Sequence, residues 1–266
     1  SLLLPQLIAF ALLQGITEFL PISSSGHLIL LPHLTGWPDH GLTYDVAAHF
    51  GTLIAVVVYF RTDLRDMLIH WFNSSRGAPA NEHSRLGWAV LWATLPVGMV
   101  GLLTHDFISI HLRDPVIVAS TTIGFGVILW IADCLGPRTR DTSTLSKLDI
   151  ALVGCSQCLA LIPGTSRSGI TISVGLALGL TRSAAARFSF LLSIPVIVLA
   201  TGYETWRLLG TSLAVDWIGL LIVTIGASIS AFVCIAVFLR TLERVGMVPF
   251  VLYRFLLGAI LLMLFL

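Results

Sequence analysis

Long apolar runs, broken at a few polar points, set the pattern of this chain. Runs at 43–60, 86–104, 115–132, 184–206, 216–239 and 248–266 read as helices, or parts of helices, that cross about 30 Å of hydrocarbon. Two other apolar stretches are interrupted differently. Residues 2–20 carry Pro5, Gln6, Gln14, Gly15 and Glu18, break at Pro21, and pass through a serine-rich tip into LILLPHL, which is too short to span. Residues 148–180 repeat that pattern: an apolar run, the polar tip PGTSRSGIT (Pro163 to Thr171), then ISVGLALGL, again short for a span. Each reads as a helix that enters the membrane, turns at its tip and comes back. The expected fold is therefore an all-α membrane protein with six transmembrane helices and two opposed re-entrant helix hairpins.

The connections refine this picture. Leu64, Met67, Leu68, Trp71 and Phe72 fall on one helical stripe, with Arg61, Arg65 and Asp66 off it, which predicts a helix lying in the membrane interface. Residues 134–147 are a loop by composition and the midpoint of the molecule. When Gly26 is placed on Gly169 without gaps, Ser25 meets Ser168, Ser23 meets Ser166 and Gln14 meets Gln157. Ala47-Ala48-His49-Phe50 likewise echoes Ala185-Ala186-Arg187-Phe188. The chain thus reads as one membrane domain, 1–266, made of a repeat over 1–133, a linker over 134–147 and a second repeat over 148–266.

Charge orients the repeats. If each is a hairpin followed by three spans, one side collects Arg61, Arg65, Arg76, Arg85, Arg138, Arg140, Lys147, Arg182, Arg187, Arg240 and Arg244. The other side, which includes the stretch around Ser212, keeps only Arg113 and Arg207. The rich side is cytoplasmic by the positive-inside rule. Three spans per repeat is an odd number, so the repeats are inverted, both termini face the opposite side, and the two tips meet near mid-membrane.

Composition supports the class and excludes others. The 266 residues are 56% hydrophobic and 11% charged, against about 25% charged in soluble domains. A net charge of +1 with no basic tract excludes a nucleic-acid partner. Cys134, Cys155, Cys158 and Cys234 lie in or beside apolar runs and read as small packing residues, Cys155-x-x-Cys158 included. The first segment lacks a basic leader, so no cleavable signal is expected.

The candidate chemistry lies at the tips. Arg167 offers a planar fork suited to phosphate oxygens, and an arginine at this depth costs about 2.5–3.5 kcal/mol on insertion scales. Around it, Gly164 and Gly169 let backbone N–H groups turn towards a ligand, and Thr165, Ser166, Ser168 and Thr171 add hydroxyls ahead of a helix start. The first tip supplies Glu18, Ser23, Ser24, Ser25 and His27, with Gln14 one turn before Glu18 on the same face. One carboxylate, one imidazole, hydroxyl nucleophiles and an anion clamp suit phosphoryl transfer. A divalent cation, Mg²⁺ or Ca²⁺, fits a site of Glu18 and Gln14 completed by substrate phosphates. Glu18 is expected to be the only carboxylate there, since Asp45 lies on a separate helix and Asp149 at the start of another.

At these residues the chain resembles the bacterial undecaprenyl-pyrophosphate phosphatases, also called bacitracin-resistance proteins. The family's Glu/Gln-x-x-x-Glu motif, leading to a serine-rich loop and a histidine, stands here as Gln14-Gly-Ile-Thr-Glu18-Phe-Leu-Pro-Ile-Ser-Ser24-Ser-Gly-His27. Its Pro-Gly-x-Ser-Arg-Ser-x-x-Thr motif is Pro163 to Thr171 without a departure. Asp45-Val-Ala-Ala-His49-Phe-Gly51-Thr52 and Ala186-Arg187-Phe188-Ser-Phe-Leu-Leu-Ser-Ile-Pro195 are further family-like stretches. Gln14 takes the one-carboxylate option of the first motif.

The resemblance implies removal of the terminal phosphate from a C55 polyprenyl pyrophosphate, with a divalent cation, on the outer face of the bacterial inner membrane. It assigns Glu18, Ser24, His27 and Arg167 to catalysis, and the product is the lipid carrier of cell-wall synthesis. The expected mechanism has Arg167 and the Gly164–Ser168 backbone holding the pyrophosphate and Glu18 positioning the cation. Ser24 or a water attacks, with His27 as base or shuttle; His27 as nucleophile is the variant. The expected partners are the polyprenyl pyrophosphate, whose prenyl chain lies in an apolar groove between helices, and membrane lipids; a homodimer is left open. A lipid flippase on the same architecture is the alternative function.

Overall fold

The computed structural model describes residues 3–38, 41–208 and 216–266. The stretch around Ser212 lies outside these residues. Among them the regular structure is helical, with a single bridge between Arg140 and Leu180 and no strand. The helices are α1 (Leu4–Phe19), α2 (Ser24–Thr35), α3 (Leu42–Tyr59), α4 (Arg61–Ser75), α5 (Glu82–His111) and α6 (Pro115–Leu135). The second half holds α7 (Lys147–Ser156), α8 (Arg167–Ala177), α9 (Arg182–Leu208), α10 (Trp217–Val245) and α11 (Val248–Phe265).

Six of these, α3, α5, α6, α9, α10 and α11, are long and apolar enough to cross a membrane, and they coincide with the six apolar runs. With apolar side chains such as Leu103, Trp206, Ile218 and Met263 left exposed over this bundle, the chain is a multi-pass membrane protein. At 12 and 11 residues, α2 and α8 reach only about 18 and 16 Å and cannot cross. Each belongs to a helix–turn–helix unit: α1 turns at Pro21 into α2, while α7 runs through a 3-10 turn (Gln157–Leu161) and Pro163 into α8.

Small residues let the surrounding helices approach these units. A Cβ on Gly15 would collide with Ser230 of α10, and one on Gly51 with the Thr224 carbonyl. In the second half a Cβ on Gly154 would come 2.8 Å from Ala93 of α5. An aromatic column then links the end of α1 to the bundle: Phe19 to Phe190 at 5.2 Å, Phe190 to Phe238 at 5.7 Å, and Phe238 to Phe250 at 5.2 Å.

Ion pairs knit the arginine-rich end. Arg182 grips Asp133 with two bonds of 2.6 and 2.9 Å, and Asp133 also accepts from the Met247 N–H. Arg187 donates to Asp63, and Arg140 to Asp149 at 2.7 Å. Arg140 further donates to the carbonyls of Leu178 and Thr144, so the central loop is pinned. At the other end of the helices Tyr44 donates to Asp216, and His105 sits against Glu204 beside Arg207. The stripe predicted on residues 64–72 is α4, which buries Met67 and exposes Leu68 and Phe72.

Candidate active site

The two tips are built alike. Pro21 breaks the first helix, and Ser23, at φ 72°, caps α2 with its Oγ accepting from the Gly26 N–H at 3.4 Å. Ser166, at φ 70°, caps α8 by accepting from the Gly169 N–H at 3.1 Å. Each cap serine also lies 3.1 Å from a second hydroxyl, Ser25 in one tip and Ser168 in the other. Positive φ at a residue with a Cβ costs on the order of 1–3 kcal/mol, so the same strain at both serines marks a geometry the neighbouring contacts hold in place.

Those contacts join the tips to each other. The Gly164 N–H donates to Ser25 Oγ at 2.9 Å, and Ser168 Oγ donates to the Leu20 carbonyl at 2.9 Å. Gly164 itself, at φ 92°, leaves no room for a side chain beside Thr121 and Val118. Under the junction lies Arg254 of α11, fully buried. Its guanidinium donates to Pro21 O (3.3 Å), Gly164 O (3.0 Å), Thr165 O (3.0 Å) and Thr122 O (2.9 Å). Pro21 and Gly164 coincide when the tips are aligned on Gly26 and Gly169, so one side chain holds equivalent carbonyls of both turns.

Above the junction is a cavity of about 430 Å³, lined by Glu18, Ser23, Ser24, Ser25, Ser166 and Arg167 together with Asp45, His49 and Arg113. Glu18 of the first tip faces Arg167 of the second, Oε1 to Nη2, at 3.3 Å. Arg167 also donates to the Ser189 carbonyl at 3.0 Å. The Glu18–Arg167 contact is longer than the 2.7–2.9 Å usual for a charge-assisted bond, so phosphate oxygens can take the guanidinium over at little loss. The first turns of both α2 and α8 border the cavity, and two helix N-termini favour a doubly charged anion there.

The second oxygen of Glu18 accepts from Gln14 Nε2 at 2.9 Å and stands 3.6 Å from His49 Nε2. His49 Nδ1 is 2.8 Å from the Asp45 carbonyl, which fixes that nitrogen as the donor and leaves Nε2 as a lone pair towards the Gln14 amide and the cavity. Gln14 Oε1 is buried without a partner. With the amide turned over, that oxygen would stand beside the Glu18 carboxylate where Nε2 now lies, and the pair would fit a hard divalent cation, Mg²⁺ or Ca²⁺. No group of three or more His, Cys, Asp or Glu side chains is placed to hold a metal ion among the described residues, so such an ion would draw its other ligands from substrate oxygens and water.

Several expected site residues are not in the lining of this cavity. His27 is buried outside the cavity lining, Nδ1 2.7 Å from the Ser23 carbonyl and Nε2 2.6 Å from the Tyr253 hydroxyl, so neither nitrogen meets Ser24. The N–H groups of Gly164 and Gly169 are spent inside the tips rather than turned to a ligand. Ser168 and Thr171 are buried and bonded to Leu20 and Ser189, and Thr165 Oγ1 is buried without a partner. Asp45 lies on a separate helix, as expected, but α3 brings it into the cavity lining, so Glu18 shares the cavity with a second carboxylate. Sequence reasoning missed Asp45, His49, Arg113 and Arg254 as site residues. A lone arginine in the apolar run VPFVLYRFLLGAI was a readable signal for the last.

Comparison with known proteins gives the chain's family and relatives. The family described as bacitracin resistance protein BacA matches residues 7–260. The chain is 55% identical over 263 residues to undecaprenyl-diphosphatase 2 of Stutzerimonas stutzeri, covering 98% of this chain and 97% of that protein. It is 53% identical over 259 residues to the undecaprenyl-diphosphatase of Nitrosococcus oceani, covering 97% and 98%. To the undecaprenyl-diphosphatase of Thioalkalivibrio sulfidiphilus it is 51% identical over 261 residues, 98% of each chain.

Proposed function

The chain belongs to the bacitracin resistance protein BacA family, and from that premise we propose that it hydrolyses undecaprenyl pyrophosphate to undecaprenyl phosphate and inorganic phosphate. The product renews the lipid carrier of cell-wall synthesis, and the activity confers bacitracin resistance. One observation carries the reading: a carboxylate and a guanidinium from two separate tips meet in a hydroxyl-lined cavity that two helix N-termini border.

Arg167 exchanges Glu18 for the pyrophosphate, whose charge the α2 and α8 N-termini share. A water or the Ser24 hydroxyl attacks the terminal phosphorus, and the bond to the bridging oxygen breaks, leaving the electron pair on the lipid monophosphate. The nucleophile's proton is received within the cavity, where His49 Nε2 and Glu18 face the space. His27 holds the Ser23 turn against Tyr253 instead. Glu18 and Gln14 would hold the Mg²⁺ or Ca²⁺ ion, which neutralises developing phosphate charge when bound.

We assign the two helix–turn–helix units to opposed re-entrant hairpins of an inverted repeat. Support comes from the matching serine caps, the short α2 and α8, and the gathering of arginines at one end of the bundle. With that end cytoplasmic, the cavity opens to the periplasmic side of the inner membrane. Phosphate release from undecaprenyl pyrophosphate by purified protein in detergent tests the reading, since nothing can be transported there. Glu18→Gln should abolish release while the protein stays folded; full release by that variant would refute the site, and none by wild type the function.

A further inference from the structure

We propose that the prenyl chain of the substrate leaves the catalytic cavity past Leu161 and lies in the apolar groove between α5 and α9; this deepens the phosphatase reading and rests on it. Three spaces form a path. The catalytic cavity and a smaller one of about 160 Å³ share Leu161 as a wall. That smaller cavity shares Gly98, Leu102 and Leu199 with a groove of about 860 Å³. The groove follows α5 from Leu102 down to Gly87, about 22 Å of helix, and its far end is floored by Trp71, Trp88 and Trp92.

Leu199 and Leu161 lie against the bare backbone of α5 where these spaces adjoin: a Cβ on Gly98 would meet Leu199 at 3.4 Å and one on Gly101 would meet Leu161 at 3.6 Å, so the two leucines turn aside for a chain to pass. Gly98 and Gly101 lie one turn apart and face the same wall. The groove is lined by aliphatic and aromatic side chains with Thr94 the one hydroxyl residue among them, and Thr94 donates that hydroxyl to the Val90 carbonyl. Such a lining rewards a hydrocarbon and offers no charged group to a phosphate. Its adjacency to the phosphate cavity, through the walls they share with the smaller space, selects a ligand with a charged head and a long apolar chain, which is the substrate itself. A bilayer acyl chain would fill the groove without reference to the reaction.

Chain-length selectivity separates these occupants. Val198 lines the groove but not the two cavities and is half exposed, so Val198→Trp fills the groove without unpacking the core. Leu221 of α10, 60% exposed and outside the groove lining, gives the control Leu221→Trp. The assay is kcat/KM for undecaprenyl pyrophosphate and for farnesyl pyrophosphate, whose chain is far shorter. Val198→Trp should lower the long-chain value about tenfold, the loss of roughly two buried methylenes' worth of contact, and leave the farnesyl value near wild type. An unchanged long-to-short ratio, or the same change in Leu221→Trp, would overturn the proposal. A polyprenyl pyrophosphate carrying a photoreactive group near its chain end gives an independent reading in the wild-type protein. Label on the α5 or α9 segments supports the groove, and label confined to α10 or α11 sinks it. If wild type releases no phosphate from either lipid, the phosphatase reading fails, and the position of the label still decides the groove.

Discussion

Arg254 should matter as much as the residues that face the cavity. Replacing it with Met keeps volume and suits the apolar surroundings, but removes four donated hydrogen bonds. Thr122 O keeps its place in the α6 helix, and Gly164 O keeps the Thr122 hydroxyl at 3.3 Å. Pro21 O and Thr165 O are left without a donor, and a buried acceptor stranded in this way costs about 1–3 kcal/mol. The expected destabilisation is thus about 2–6 kcal/mol, offset in part because no buried guanidinium has to be desolvated. The larger effect is geometric. With the two turns released from a common donor, the Glu18–Arg167 pairing loses its register, and a displacement of about 1 Å at a catalytic group can cost on the order of 10²-fold. Arg254→Lys is the discriminating variant, since it keeps the charge but cannot span four carbonyls with one ammonium. Phosphate release and thermal unfolding in detergent should be measured on both. Loss of kcat in Arg254→Lys with only a small drop in Tm fits a positioning role. Near-native kcat in Arg254→Met would refute the reasoning, because the tips would then hold their register unaided.

Further expectations follow from the cavity and the helix ends. Arg167→Lys should lose kcat on the order of 10²-fold, close to Arg167→Ala, because a point charge cannot replace the fork; a turnover assay with near-native rates would show otherwise. Cation affinity, measured by calorimetry, should be weak without substrate, tighten with a non-hydrolysed pyrophosphate lipid, and rise in Gln14→Glu. Tight binding to the substrate-free protein, unchanged in Glu18→Gln, would place the ion elsewhere. In a background lacking the native cysteines, Asp106→Cys, 88% exposed at the end of α5, should react with an impermeant thiol reagent in whole cells, whereas Ser75→Cys should not; the reverse pattern ends the proposed orientation. His49→Ala should lower kcat with little change in Tm, whereas His27→Ala should lower Tm and rate together; turnover and thermal unfolding in detergent check both, and near-native turnover in His49→Ala would refute its place in the cavity.

The spans were legible because an apolar run about 20 residues long has few alternatives to a membrane helix. The tips were legible for a related reason: Pro21, Pro163 and their serines interrupt apolar runs where a broken backbone needs replacement donors. That Glu18 and Arg167 belong to one site was legible from two costly charges, one at each tip; that they bond to each other was not. What could not be read was which hydroxyls face inward. Ser166 and Ser168 are two residues apart in one motif, yet Ser166 borders the cavity while Ser168 is buried against Leu20. That difference comes from the left-handed turn at Ser166, which composition does not encode. Asp45 and His49 sit in an ordinary span, and only the packing of α3 between α1 and α9 brings them to Glu18.

The two tips share a backbone design but divide the chemistry. With Gly26 laid on Gly169, Ser24 coincides with Arg167, and each is the first residue of its helix and borders the cavity. Glu18, however, coincides with Leu161, and His27 with Ile170. Gln14 turns its amide to Glu18 and His49, whereas its counterpart Gln157 donates to the Ala93 carbonyl inside the bundle. A chain that offered one binding site to both sides of the membrane in turn would rock one repeat against the other, and the bonds between its tips would have to part. A hydrolase instead needs unequal groups held still around one phosphorus atom, because stabilisation that is already in place costs no reorganisation at the moment of reaction. The cross-bonds between the tips, with Arg254 beneath both, supply that fixity. The symmetry then serves to bring two helix N-termini to one point, and the asymmetry decides what happens there.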